Sequence, residues 1–85
     1  MRRPSPYDRE AQALWRPLEV RCRSERHYAQ EPRALRWEGV WQPVQRVLAR
    51  WRTPQGPAFR LLGAGGDLFE VHYLEGEAQW MGRRL

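Results

Sequence analysis

The chain contains no lysine, no asparagine, no isoleucine and only one cysteine. The three missing residue types share A/T-rich codons, so a G/C-rich genome accounts for them together. The absent lysine therefore does not signal arginine-specific chemistry. A lone cysteine, Cys22, excludes an internal disulfide and fits a reducing compartment. No apolar run reaches the length of a membrane span. None follows the basic opening MRRPSPYDRE, which argues against a signal peptide. The expectation is a cytoplasmic protein without membrane association. There is no internal repeat and no second apolar cluster, so the 85 residues read as one domain.

What is present is arginine and tryptophan. All 15 basic residues are arginine, and the net charge is +5. Arginine stays charged at any ordinary pH and can bind phosphate or carboxylate with two hydrogen bonds. A basic balance favours polyanionic partners. Five tryptophans, three tyrosines and two phenylalanines supply the mass of a core. Three of those tryptophans lie in the stretch WEGVWQPVQRVLARW, Trp37 to Trp51, around which the other elements are arranged.

The pattern predicts a mainly β fold. Residues 1–16 read as a basic arm with a short helix over Asp8–Trp15, stopped by Pro17. Residues 17–85 read as a single small barrel. Leu18–Arg23 alternates, with Leu18, Val20 and Cys22 inward. Residues 24–32 read as a loop, Arg33–Trp37 as a strand and Gly39 as a tight turn or bulge. Val40–Arg52 carries two periods. Val44, Val47, Leu48 and Trp51 fit a helix. Val47, Ala49 and Trp51 fit a strand with Arg46, Arg50 and Arg52 outward. Strands on both sides favour a long, bent strand, with a helix over residues 43–50 as the competing reading. Strands at 58–62, 68–74 and 78–81 follow, separated by turn clusters TPQGP, GAGGD and EG, and GRRL reads as a basic tail. The sum is five to six antiparallel strands in an SH3-like barrel or twisted meander.

Two readings of the outward face stay open. Arg21, Arg23, Arg36, Arg46, Arg50, Arg52 and Arg60 fall opposite the apolar rows, together with Glu19, Glu38 and Glu70. One reading is cross-strand Arg–Glu pairing on a wet surface. The other is a phosphate-contacting face for DNA or RNA, carried by Arg36, Arg46, Arg50, Arg52 and Arg60, with Trp41 stacking on a base. Catalytic and metal chemistry find no support. Cys22, His27 and His72 match no zinc spacing, and Cys22 falls on an apolar face where a thiol is inert. GAGGD lacks the GK[ST] of a phosphate loop and leads into a strand. Neither cofactor nor metal is expected, and the chain reads as a non-enzyme. A protein-interaction module docking through a sheet edge or aromatic patch is the alternative function.

The stretch RALRWEGVWQPVQRVLARWR, then FRLLGAGGDLFEVHY, then Trp80, resembles a small bacterial domain family of unknown function found in actinobacteria and the Deinococcus–Thermus group. Trp37, Gly39, Val44, Val47, Leu48, Trp51, Arg52, Gly66, Glu70, Tyr73 and Trp80 carry the likeness, over about residues 17–81. Val40 stands where the family tends to place a basic residue, and Pro43 is unusual. Some members are associated with Y-family DNA polymerase-like proteins. The resemblance thus implies a setting in DNA repair or replication, with such a polymerase-like or other repair protein as partner. It assigns no residue a role.

Overall fold

The structure, a computed structural model, describes residues 15–23 and 31–85. Seven strands make one sheet: β1 (Arg16–Leu18), β2 (Val20–Arg23), β3 (Glu31–Trp37), β4 (Val40–Thr53), β5 (Gly56–Gly63), β6 (Leu68–Leu74) and β7 (Gln79–Arg84). There is no helix among the described residues. Every pairing is antiparallel, and the spatial order is β1-β7-β6-β5-β4-β3-β2. The two end strands, β1 and β2, are separated in the chain by Glu19 alone. The sheet must therefore curl into a half-barrel until its ends meet at Glu19, whose carbonyl accepts from the Arg36 amide of β3 at 2.9 Å.

The curl makes the concave face the core. Leu35, Trp37, Phe59, Leu61, Phe69, Val71 and Trp80 are buried there, with Leu18, Val20, Cys22, Val44, Val47 and Tyr73 packed around them. Trp37 leans on Phe69 with centroids 5.4 Å apart, and Trp80 lies between Tyr73 at 5.0 Å and Phe59 at 6.1 Å. These tilted aromatic contacts add to the area each ring removes from water. Gly82 lets β1 close on the core. A Cβ there would stand 2.6 Å from Leu18 Cδ2 and 3.1 Å from Val71 Cγ1.

Turn chemistry follows local sequence. Glu38 and Gly39 both take positive φ, 50° and 81°, as a two-residue hairpin between Trp37 and Val40 requires. In the β4–β5 hairpin, Thr53 Oγ1 accepts from the amides of Gln55 and Gly56 and donates to the Gly56 carbonyl. GAGGD closes as a hairpin, with the Gly63 amide donating to the Asp67 carbonyl at 2.8 Å.

Several expectations change. Leu18–Arg23 is not one strand but two, parted at Glu19, because β1 pairs with β7 and β2 with β3. The strand count among the described residues is seven for that reason. All of the expected tail GRRL but Leu85 belongs to β7, where Arg84 pairs with Phe69. β3 starts at Glu31, two residues earlier than expected. Trp15 is not helical, and the rest of the expected helix over residues 8–15 lies outside the described residues. Val40–Thr53 is the long strand and not a helix. Its mixed period comes from bulges. The β4–β5 register passes over Gln45 and again over Leu48, and the β2–β3 register passes over Arg33. Each extra residue bends its strand and reverses the alternation beyond it.

Candidate functional site

Cross-strand partners project from the same face of a sheet. Arg36 pairs with Trp41, Arg46 with Leu62 and Arg60 with Glu70, all opposite the core rows. These four expected residues therefore share the outer face. Arg50 and Arg52 do not. Arg50 pairs with the core residue Phe59 and emerges on the inner face at its margin, and Arg52 pairs with Pro57 two residues on. The bulge at Leu48 is the cause. It puts Ala49 and Trp51, expected inside, on the outer face opposite Arg60 and Ala58. Of the other expected outward arginines, Arg21 pairs with Ala34 and lies on the outer face beside Trp41.

The arginines are extensively paired. Arg36 meets Glu19 at 3.1 Å, Arg50 meets Glu31 at 3.2 Å, Arg52 meets Glu75 at 2.7 Å and Arg60 meets Glu70 at 3.2 Å. Arg16 meets Glu38 at 3.2 Å and also covers the Trp37 ring at 4.7 Å. Cross-strand Arg–Glu pairing is thus a fact of this surface. Apart from Arg60, whose partner Glu70 is buried, these are exposed pairs that contribute about 0–1 kcal/mol each, so a phosphate can compete for the same guanidinium. Arg46 has no carboxylate partner among the described residues. Trp41 is half-buried, and its ring face carries the Arg21 guanidinium at 4.1 Å. A planar cation already occupies the place where a base would stack.

Further along the outer face, Glu70 is the one buried charged residue of the described core. Its carboxylate accepts from Arg60 and shares a 3.0 Å contact with His72 Nε2, and Arg83 lies 3.6 Å away. Burial pushes the Glu70 carboxyl up. The hydrogen bonds from His72 and Arg60 and the nearby Arg83 charge outweigh it, leaving the pKa below the ordinary carboxylate value. His72 is flanked by Trp15 at 4.5 Å and edge-on by Trp51 at 5.8 Å, and Arg83 stacks on Trp15 at 5.0 Å. Glu70 thus ties together two arginines that the sequence places on separate strands.

The chemistry-bearing side chains are dispersed. Cys22 packs inward against the core, and burial raises its thiol pKa, the opposite of what a nucleophile needs. His72 lies on the outer face, and His27 is outside the described residues. Among the described residues no group of three or more His, Cys, Asp or Glu side chains could hold a metal ion, and no helix is long and apolar enough to cross a membrane.

Sequence reasoning missed Arg33 and Arg83. Arg33 looked like the first residue of a strand, and Arg83 looked like tail. Alternation could not show that Arg33 is a bulge residue or that β7 continues to Arg84. Comparison of the chain with protein-family models, curated proteins and solved structures finds no match.

Proposed function

We propose that this protein is a non-catalytic nucleic-acid-binding module that takes DNA or RNA against the outer face of its curled sheet. The observation that carries this reading is the gathering of Arg21, Arg36, Arg46 and Arg60 on the face that bears Trp41, opposed there by Glu19 and Glu70. Phosphates would displace Glu19 from Arg36 and settle on Arg46. A base would take the place of the Arg21 guanidinium over Trp41, an exchange that conserves stacking area. Arg50 and Arg52, on the other face, would act at a distance through charge alone. The repair or replication setting, with a polymerase-like partner, is proposed from the family resemblance.

The test is intrinsic tryptophan fluorescence titrated with single- and double-stranded oligonucleotides at about 50 and 200 mM salt. Saturable quenching at low salt that collapses at high salt, and that Arg46→Glu abolishes, is the expected result. No change with either nucleic acid at low salt overturns the proposal.

A second reading has its own observation. Beyond Pro43, β4 pairs only with β5 among the described residues, and it exposes Leu48 and Trp51, 44% and 38% accessible. An open strand edge with apolar side chains suits strand addition by a protein partner, such as a polymerase-like or other repair protein. Binding of that kind would depend little on salt and would fail when a proline is placed in the open edge.

A further inference from the structure

The β3–β4 ladder ends at the pair Ala34 and Pro43. Pro43 has no amide hydrogen to extend it. Just past this rung, both strands carry an extra residue. Arg33 is the bulge of β3 against β2, and Gln45 is the bulge of β4 against β5. Each strand bends to follow its remaining partner, so the two part like the arms of a V. Between the arms lies a cleft of about 290 Å³, lined by Glu31, Arg33, Pro43, Gln45, Arg46 and Val47 among others.

The cleft brings arginines of both strands to one gap. Arg16, Arg36, Arg50, Arg52, Arg60 and Arg83 each have a carboxylate within 4 Å. Arg33 and Arg46 are exposed and, like Arg21 and Arg84, have none among the described residues, but only these two line the same cleft. The one acid in the cleft, Glu31, is turned onto Arg50 at 3.2 Å. Two guanidiniums therefore line one gap with no counter-charge of their own among the described residues. Bulges commonly re-aim a side chain beside a site, and here they stand at or next to both arginines. A tetrahedral phosphate can accept a two-pronged hydrogen bond from each.

We infer that the cleft between β3 and β4 is a phosphate seat, gripped by Arg33 from one strand and Arg46 from the other. That the phosphate belongs to a nucleic-acid strand rests on the function proposed above; the seat itself rests on the cleft and its two arginines, which have no carboxylate partner among the described residues.

The test uses the full chain, the Arg33→Ala/Arg46→Ala double variant, and Arg33→Lys/Arg46→Lys, which keeps charge but loses the fork. Two readouts are taken: anisotropy of a labelled single-stranded oligonucleotide across a salt series, and the thermal midpoint with and without inorganic pyrophosphate. The alanine variant is expected to flatten the slope of log K against log salt by about 1.4, or about 0.7 for each arginine that no longer neutralises a phosphate. Pyrophosphate is expected to raise the midpoint of the wild type, to leave the alanine variant unmoved and to act weakly on the lysine variant. Oligonucleotide binding with an unchanged slope in the alanine variant overturns the seat and leaves the nucleic-acid reading standing. Pyrophosphate stabilisation confined to the wild type, without oligonucleotide binding, supports the seat and removes that reading. Equal pyrophosphate response in wild type and alanine variant, or none in the wild type, overturns the seat.

Discussion

Closure of the sheet by β1 can be tested at one atom-sized position. Leu18 pairs with Trp80, and its side chain fills the space above Gly82. Replacing Gly82 by alanine puts a methyl group 2.6 Å from Leu18 Cδ2, 3.1 Å from Val71 Cγ1 and 3.3 Å from the Glu70 carbonyl oxygen. Overpacking of this kind costs about 1–3 kcal/mol. Leu18 is half-buried, so Leu18→Ala loses less than a full core leucine, about 1–2 kcal/mol. If β1 is docked as described, the two changes do not add. The shortened residue 18 makes room for the new methyl group, and only the approaches to Val71 and Glu70 stay tight. The double variant is then expected to be more stable than the sum by about 1 kcal/mol, within the range of touching pairs. Urea unfolding followed by tryptophan fluorescence reads all four proteins. In a domain this small, each kcal/mol also moves the thermal midpoint by about 4–8 °C. Additivity within about 0.3–0.5 kcal/mol would refute the packing of β1 on β7, and with it the joining of the sheet's two ends.

Three further outcomes are expected. Glu70→Gln keeps the shape but not the charge that holds Arg60, His72 and Arg83, so it should cost about 1–2 kcal/mol near neutral pH. Because the folded pKa of Glu70 is depressed, its contribution is present above the unfolded carboxylate value and lost as pH falls through the folded one. The gap between wild type and variant should therefore close on acidification, and a gap that widens would contradict it. Leu48→Ser should change stability by less than about 0.5 kcal/mol, whereas Val47→Ala should cost more than about 1 kcal/mol, because the bulge exposes Leu48 and leaves Val47 on the core. Thermal melts separate the two, and a larger loss at Leu48 would remove the bulge. Gly56→Ala should be among the most damaging small substitutions, since φ is +150° and a Cβ would collide with the Tyr73 carbonyl oxygen. Gly76→Ala, with open space around it, is the matched control in the same unfolding assay.

Strand identity was legible wherever one face of a strand is buried and its alternation is regular. Phe59 and Leu61 in β5, and Phe69, Val71 and Tyr73 in β6, are spaced two apart because side chains on a pleated strand alternate faces. The turns at Glu38–Gly39 and at GAGGD were legible because backbone dihedrals there favour glycine. Composition likewise announced an aromatic core and an arginine-covered exterior. The candidate site was legible in part. Arg36, Trp41, Arg46 and Arg60 were named from parity and do share the outer face, but Arg50 and Arg52 leave it. Bulges at Arg33, Gln45 and Leu48 leave no mark in the local sequence, since each exists only against a partner strand that lies elsewhere in the chain. One unpaired residue is enough to turn every later side chain to the other face. The split of Leu18–Arg23 at Glu19 is equally non-local: an alternating run cannot declare that its two halves pair with opposite ends of one sheet. Alternation and turn residues, being local, made this a curled β domain. Which arginines face one another, and that Arg33 and Arg46 line one cleft whose acid, Glu31, is paired with Arg50, was decided when distant strands met and their registers slipped.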